Sequence, residues 1–276
     1  MRKPGLIISD VDDCLVWSET QAGRDGVIPT MVDFQSKVCR RELPNGMLFS
    51  WTTGELVDYQ EFNRTRAGFT FRQQLEGVVA KLAVEVSEEE MTVWDVEESL
   101  RILDSFSKHL EPVAGAHDML RDSRQFGVPV VVASSSTLLR IHVSLRTTKM
   151  LDLVDQFFSA QGPGWERVNG GCGFRTWAPD NGYHSVEFHR GEKRPKPAGD
   201  VYELACEHMG VDPKHAVAIE DSPGGLFAAL AAGIGRRIGV TAVPPDQQAK
   251  RREQLLAAEA TDVVTSLDQV VPLLQA

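Results

Sequence analysis

The chain has 276 residues, of which 42% are hydrophobic and 25% are charged, and its formal net charge is −10. This composition is typical of a globular protein with one large domain or two smaller ones. The acidic balance disfavours sequence-independent binding to nucleic acid or to anionic lipid. The sequence contains no apolar segment long enough to cross a bilayer and no CxxC pair. We therefore expect a cytoplasmic protein without a disulfide framework or a structural zinc site.

The first predicted element is a short strand that ends in negative charge. Leu6–Ser9 is a continuous apolar run, typical of a strand covered on both faces. Three aspartates lie within the next four positions, namely Asp10, Asp12 and Asp13. Buried strands do not ordinarily end in this much negative charge, so these aspartates are candidates for a chemical role.

The rest of the chain predicts a helical region followed by alternating strands and helices. Between about residues 17 and 111 apolar residues recur at helical spacing, and Ser87–Glu90 has the composition of a helix start. From residue 112 onward strands and helices alternate, which implies a parallel sheet with helices on both faces. We predict an α/β fold, in which residues 1–16 and 112–276 form a doubly wound, Rossmann-like core and residues 17–111 form an inserted helical domain.

One segment of the predicted core, residues 162–192, does not fit this alternation. It is rich in Gly, Trp and His, and the Asn-Gly pair at positions 181 and 182 predicts a hairpin-like excursion. Cys172, His184 and His189 lie in it, but no ligand spacing of a zinc site fits them. A surface hairpin, which could shape the site entrance or form an oligomer contact, is the favoured interpretation.

Several polar side chains follow the predicted strands at the point where each strand ends. In open parallel sheets, ligands bind beyond the carboxyl ends of the strands. One further side chain, a lysine, directly precedes a helix at the same edge. We therefore expect one site to contain Asp10, Asp12, Ser134, Lys196, Glu220 and Asp221.

The residue types in this set favour phosphoryl chemistry with a hard cation. Clustered carboxylates suit Mg²⁺, and without a cation their mutual repulsion raises some of their pKa values. An ionised carboxylate can attack a phosphoryl group while cation, lysine and hydroxyl stabilise the charge on its oxygens. A second aspartate two residues away can move protons.

Four short motifs occur in a fixed order along the chain: "DVDDCL", "VVVASSS", "KPAGD" and "AIEDSPGGLFAALAAG". They resemble the four motifs of the haloacid dehalogenase (HAD) superfamily of phosphohydrolases, whose first motif is DxDx[TV]L. The resemblance covers about the first fifteen residues and everything from Pro112 onward except the excursion. The stretch "KPAGDVYELACEHMG", followed by "IEDSPGG", is close to the β-phosphoglucomutase-like branch, which includes phosphoglycolate phosphatases and CbbY-like sugar phosphatases. In that branch a helical cap follows the first motif.

The resemblance implies a role for each matching residue. Asp10 would be the nucleophile that forms an aspartyl-phosphate, and Asp12 would be the general acid and base. Ser134 would hold a phosphate oxygen, and Lys196 would bridge phosphate and nucleophile. An aspartate at position 12 favours phosphate esters as substrates. The implied Mg²⁺ ligands are Asp10, the carbonyl oxygen of Asp12, Asp221 and, directly or through water, Glu220.

The first motif departs from the family pattern at two positions. Asp13 stands where the family usually has glycine, and Cys14 stands where it usually has threonine or valine. Asp13 could strain a turn that glycine makes easily, or add a solvated charge at the cap hinge. We expect Cys14 to be a small buried filler, although a thiol beside the nucleophile could make the enzyme sensitive to oxidation.

The predicted cap contains one candidate for substrate recognition. Gly68–Leu75 resembles the specificity segment of capped relatives, in which an arginine reaches the bound substrate. Arg72 is our candidate, with Arg64 and Arg66 as neighbours. The alternative is that these arginines form an exposed helix face.

These observations lead to one functional hypothesis and two alternatives. We expect a Mg²⁺-dependent phosphatase that hydrolyses a small phosphorylated metabolite through an aspartyl-phosphate. A β-phosphoglucomutase-like phosphomutase would use the same residues but return the phosphoryl group to a second hydroxyl. A non-catalytic binding protein on the same fold is the alternative of another class. No nucleic-acid or membrane partner is expected, and monomer and homodimer both remain open.

Overall fold

The computed structural model describes residues 3–65, 70–161, 176–178, 182–184, 194–241 and 243–276. The chain divides into two compact units. The core unit contains Met1–Ser18 and Leu110–Ala276, and the inserted unit contains Glu19–His109. The sequence predicts the corresponding divisions after residues 16 and 111. In the described part of the chain, no helix is both long and apolar enough to span a membrane.

The strands alternate with helices through most of the core unit. In chain order, the strands are β1 (Leu6–Ser9), β2 (Val16–Trp17), β3 (Met47–Phe49), β4 (Leu56–Asp58), β5 (Glu111–Pro112), β6 (Val130–Thr137), β7 (Gln156–Gln161), β8 (Thr176–Ala178), β9 (Gly182–His184), β10 (Ala216–Glu220), β11 (Arg236–Val240) and β12 (Asp262–Val264). The α-helices are α1 (Glu19–Ala22), α2 (Ile28–Lys37), α3 (Tyr59–Thr65), α4 (Phe71–Leu82), α5 (Glu88–Lys108), α6 (Ala116–Phe126), α7 (Leu138–Thr147), α8 (Asp200–Met209), α9 (Pro223–Ala231), α10 (Pro245–Ala257) and α11 (Val270–Gln275).

The main sheet of the core unit has the order β12-β11-β10-β1-β6-β7-β8-β9 among the described residues. Its first six strands are parallel, and β8 and β9 add an antiparallel pair at one edge. Strand β1 lies between β10 and β6, and Ile7 is opposite both Val217 and Val130. All four β1 residues are buried, as their apolar run predicts. The doubly wound α/β fold is therefore confirmed.

Helix α8 packs its apolar residues against one face of this sheet. Val201, Tyr202 and Ala205 belong to one buried cluster with Ile8 and Phe158. Full burial of a side chain such as Val201, Ile8 or Phe158 contributes roughly 1.5–3 kcal/mol to stability. Because α8 begins four residues after Lys196, this packing also fixes the loop that carries the lysine.

Strand β6 is longer than the sequence indicated. The apolar run predicted a strand that ends at Ser134, whereas β6 continues through the three serines to Thr137. Thr137 is also the N-cap of α7, because its hydroxyl accepts from the amide of Arg140. The serines therefore extend one strand along the edge of the sheet where ligands bind.

The excursion after β7 is described only in part. Strands β8 and β9 pair antiparallel, with Trp177 opposite Tyr183, which agrees with the predicted hairpin. Cys172 and His189 lie outside the described residues, and for His184 only the backbone of β9 is described.

The inserted unit contains the predicted helices and also a hairpin that its sequence did not indicate. Ser87 caps α5 as predicted, since its side chain accepts from the amide of Glu90. Strands β3 and β4 pair antiparallel, although strand signals in this region are scarce. The buried Gln35 of α2 explains their stability, because its amide group makes two 2.9 Å hydrogen bonds to the backbone of Phe49. The Gln35 side chain thus makes the backbone hydrogen bonds to β3 that a further strand would otherwise make.

Candidate active site

The carboxyl ends of three adjacent strands bring the predicted site residues together. Asp10 directly follows β1, and its amide donates to the carbonyl oxygen of Ile219 at 3.0 Å. Glu220 is the last residue of β10, and Ser134 lies within β6 on the other side of β1. The chain order reverses between β1 and β10, so the site lies at the switch point of a doubly wound sheet.

Lys196 joins two buried carboxylates in this site. Its Nζ lies 2.6 Å from Oδ1 of Asp10 and 2.6 Å from Oε1 of Glu220. Burial alone lowers the pKa of Lys196, but the two carboxylates outweigh this effect and hold the pKa above its usual value. The lysine is therefore a permanent cation.

Asp10, Glu220 and Asp221 form a group of three carboxylates. One oxygen atom from each lies within 4.8 Å of the other two. Burial raises the pKa of Asp10 to about 8, with Lys196 opposing this shift and Glu220 adding to it. Burial also raises the pKa of Asp221 well above its usual range, and the charge of Asp10 adds to the effect. These pKa shifts indicate that Lys196 alone does not balance the charge of the group.

The donor atoms of this group fit a hard divalent cation. Oε1 of Glu220 accepts from both Lys196 and the Tyr202 hydroxyl. Oε2 of Glu220 is buried and has no hydrogen-bond partner among the described residues. Gly225 provides the space beside it, because a Cβ atom there would lie 1.9 Å from Oε2. An unpartnered carboxylate oxygen beside two further carboxylates is the donor set that Mg²⁺ prefers.

The Asp12 carboxylate is held separately, by hydroxyl groups. Its Oδ1 accepts from Oγ of Ser18 at 2.5 Å. Its Oδ2 accepts from the Ser136 hydroxyl and, at 3.4 Å, from Oγ of Ser134. This carboxylate is not a member of the three-carboxylate group, and only its carbonyl oxygen was predicted to bind the cation. The Asp12 carboxylate thus lies outside the group of three, although its charge still adds to the effects that raise the pKa of Asp10.

Ser18, Ser136 and Tyr202 are site residues that the sequence interpretation missed. The hydroxyl of Tyr202 donates to Glu220, and its ring lies 5.2 Å from Nζ of Lys196. The available signal was its position in the first turn of a helix that starts at the active edge. Its apolar surroundings in the sequence instead indicated an ordinary core residue.

The two departures from the first motif have distinct structural outcomes. Cys14 is fully buried, and its Sγ donates to the carbonyl oxygen of Ile219 at 3.5 Å. Burial raises the pKa of this thiol well above its usual value, and the charge of Asp10 adds to the effect. Cys14 is therefore a protonated filler, as expected. Asp13 has a φ of 54°, the left-handed conformation for which glycine is the usual choice.

Arg72 lies in helix α4 of the inserted unit, and its described partners all belong to that unit. Its guanidinium donates to Glu76 at 2.9 Å and to Glu88, and its side chain is only 11% exposed. Arg64 pairs with Glu61 at 2.7 Å, and Arg66 lies outside the described residues. Within the inserted unit, the described partners of Arg72 are thus Glu76, Glu88 and Thr92.

The pKa shift of Asp10 leads to a prediction about cation binding. Between its unfolded value of 3.8 and its folded value of about 8, the cation-free folded protein holds a proton that the unfolded chain releases. Stability without a cation therefore falls as pH rises through this window, and a bound cation must displace the proton. Mg²⁺ is expected to raise Tm more at pH 8.5 than at pH 6. Thermal denaturation in MgCl₂ against EDTA at matched ionic strength measures this, and a pH-independent shift would contradict it.

The fold and this site define an α/β enzyme with a carboxylate cluster at the switch point of its sheet. A family model described as a haloacid dehalogenase-like hydrolase matches residues 5–233. The chain belongs to the haloacid dehalogenase-like hydrolases, as its motifs predicted.

Two curated proteins match parts of the chain. Validoxylamine A 7'-phosphate phosphatase of Streptomyces hygroscopicus subsp. limoneus is 28% identical over 151 residues, or 55% of this chain and 56% of that protein. A CBBY-like protein of Arabidopsis thaliana is 54% identical over 43 residues, or 16% of this chain and 13% of that protein. The chain thus matches little more than half the length of the first relative and much less of the second.

Solved structures resemble the chain over nearly its whole length. CbbY from Rhodobacter sphaeroides, in complex with phosphate, is 18% identical with a TM-score of 0.63, and the match covers 97% of this chain and 96% of CbbY. A HAD family hydrolase from Deinococcus radiodurans R1, with bound phosphate and sodium, is 25% identical with a TM-score of 0.57, covering 97% of this chain and 93% of that one. The likeness to CbbY concerns the fold.

Proposed function

We propose that this protein is a Mg²⁺-dependent phosphatase that hydrolyses a small phosphorylated metabolite, such as a sugar phosphate, through an aspartyl-phosphate on Asp10. The observation that carries the proposal is the position of Lys196, 2.6 Å from both Asp10 and Glu220 at the switch point. The names of its relatives support the reaction class, since one is a phosphatase and two solved relatives hold phosphate.

In the first step, the Asp10 carboxylate attacks phosphorus and the bond from phosphorus to the ester oxygen breaks. Asp12 gives a proton to that oxygen as the alcohol leaves. In the second step, Asp12 takes a proton from water, which attacks the phosphorus of the aspartyl-phosphate and releases phosphate and the Asp10 carboxylate. Such acid–base assistance is typically worth about 10²- to 10⁴-fold.

The remaining residues of the site bind and neutralise the phosphoryl group. Lys196 and Ser134 would bind its oxygens, and Lys196 also opposes the rise in the pKa of Asp10 and orients its carboxylate. Asp10, Glu220 and Asp221, with the carbonyl oxygen of Asp12, would hold Mg²⁺. When bound, Mg²⁺ supplies positive charge to the phosphoryl oxygens. We also propose that the inserted unit is a cap that selects the substrate and excludes water during phosphoryl transfer.

The phosphomutase is the weaker alternative. A mutase needs a cationic site in its cap for the distal phosphate, and Arg72 was predicted as the cap arginine that reaches the substrate. Its guanidinium is instead neutralised by Glu76 and Glu88. Loss of sugar-phosphate isomerisation on replacement of Arg72 would favour the mutase. A non-catalytic binding protein is disfavoured because the full set of reacting side chains is present and clustered.

The proposal is tested by phosphate release from a broad panel of phosphorylated metabolites. We expect the wild-type protein to release phosphate from at least one small phosphate ester in Mg²⁺ and not in EDTA. Release that is unaffected by EDTA would contradict the cation dependence. Absence of release from every compound would contradict the phosphatase and direct attention to isomerisation assays.

A further inference from the structure

Asp13 keeps a glycine-like backbone without being glycine. Its φ of 54° lies in the left-handed region, and its amide donates to the carbonyl oxygen of Val16 at 2.8 Å. The amides of Leu15 and Val16 both donate to the carbonyl oxygen of Val11, so the segment is a tight turn. Aspartate and asparagine are the side chains that tolerate this conformation best after glycine. The turn is therefore preserved, and a side chain is added to it.

The added side chain makes a contact that glycine cannot make. Oδ1 of Asp13 accepts from the amide of Ser18 at 3.1 Å. Ser18 is fully buried and is the last residue of the first core segment. Its hydroxyl donates to Oδ1 of Asp12 at 2.5 Å. The Asp13 carboxylate thus holds the backbone of Ser18, and the Ser18 hydroxyl in turn orients the Asp12 carboxylate.

We propose that Asp13 is a positioning residue for proton transfer: it holds Ser18 in place so that the Ser18 hydroxyl keeps the Asp12 carboxylate directed at the leaving oxygen. The inference rests on the proposed function, in which Asp12 is the general acid and base. Asp12 has a second anchor in the Ser136 hydroxyl of β6. Removing the Asp13 anchor therefore weakens the orientation of Asp12 without abolishing it.

A competing explanation is that Asp13 acts only through its charge. Its negative charge adds to the effects that raise the pKa of Asp221 in the cation-binding group. Asparagine at this position separates the two explanations, because its amide oxygen can accept the same hydrogen bond and carries no charge. Glycine at this position removes both the bond and the charge while preserving the backbone conformation.

The experiment compares wild type, Asp13→Asn and Asp13→Gly on two substrates in saturating Mg²⁺. One is the best alkyl phosphate from the metabolite panel, and the other is p-nitrophenyl phosphate, whose leaving group departs without a proton. For Asp13→Gly we expect kcat/KM to fall about tenfold on the alkyl phosphate and to stay within about twofold on p-nitrophenyl phosphate. We expect Asp13→Asn to stay within about twofold of wild type on both.

A second readout does not depend on turnover. The amide of Ser18 is expected to exchange its hydrogen faster in Asp13→Gly than in wild type, and at the wild-type rate in Asp13→Asn. Wild-type kinetics in Asp13→Gly, or equal losses on both substrates, would overturn the inference while leaving the phosphatase in place. Losses in Asp13→Asn that equal those in Asp13→Gly would also overturn it, in favour of charge. A wild-type protein without phosphatase activity would overturn the proposed function, and the inference with it.

Discussion

Asparagine in place of Asp10 is expected to reduce phosphate release by roughly 10⁴-fold or more while the protein remains folded. The two side chains have nearly the same shape, but an amide is not a nucleophile and cannot form the aspartyl-phosphate. Wild type and variant would be compared on the best substrate of the panel in saturating Mg²⁺. The exposed Asp268, replaced by asparagine in the same way, is the matched control. Retained activity in Asp10→Asn would show that another residue attacks phosphorus.

Asp10→Asn is expected to lower activity but to raise the stability of the cation-free protein at high pH. Because burial raises the pKa of Asp10 to about 8, the cation-free wild type loses stability as pH rises from about 4 to about 8. An amide has no charge to bury, so Asp10→Asn lacks this loss. In EDTA we expect the variant to melt at a higher temperature than wild type at pH 8.5, with a smaller difference at pH 5. A variant that is less stable than wild type at pH 8.5 would contradict this account of the site.

Methionine in place of Lys196 is expected to abolish activity and to destabilise the protein by about 3–5 kcal/mol at pH 8.5. The lysine is a buried partner of Asp10 and Glu220, and its removal leaves two buried carboxylates without their ammonium. The loss is expected to be smaller at pH 6, because Asp10 then carries a proton. Urea denaturation of the cation-free protein at the two pH values measures this difference.

Two further variants sharpen the test of Lys196. Lys214→Met removes an exposed lysine from the same unit and is expected to leave stability nearly unchanged. Lys196→Arg keeps the charge, but a planar guanidinium does not replace a compact ammonium between two oxygen atoms, so we expect activity to stay low. Equal destabilisation by Lys196→Met at both pH values would contradict the role assigned to the carboxylates.

The core fold was predictable because its signals are local. An apolar run marks a strand such as β1 wherever it occurs, and alternation with helices permits little besides a parallel sheet. The β3–β4 hairpin was not predictable in the same way. Its edge is satisfied by Gln35, which precedes Phe49 by fourteen residues and lies on a helix, so no pattern within the strands reveals it.

The same difference between local and long-range signals separates the site residues that were predictable from those that were not. Asp10, Glu220 and Asp221 could be predicted to lie together because each stands at the carboxyl end of a strand or directly after it, and parallel strands end at one edge. The hydroxyl partners of Asp12 were not predictable, since Ser136 lies 124 residues from Asp12 in the sequence and contacts it only because β6 pairs with β1. For Arg72 the sequence context predicts substrate recognition, and helix packing within the inserted unit adds a pairing with Glu88 that the sequence did not indicate.

The central position of β1 has a consequence for how the protein is made. β1 leaves the ribosome before any of its neighbours, yet Leu6 pairs with Ala216 and Ile7 with Val130. The apolar residues of β1 therefore stay unpaired while more than a hundred further residues are translated. During this time they can aggregate with other chains. The inserted unit, whose residues are contiguous, has all its own contacts available earlier. We expect nascent chains shorter than about residue 221 to require chaperone protection and to bind no divalent cation at this site, because Glu220 and Asp221 are the last of the proposed ligands to be synthesised.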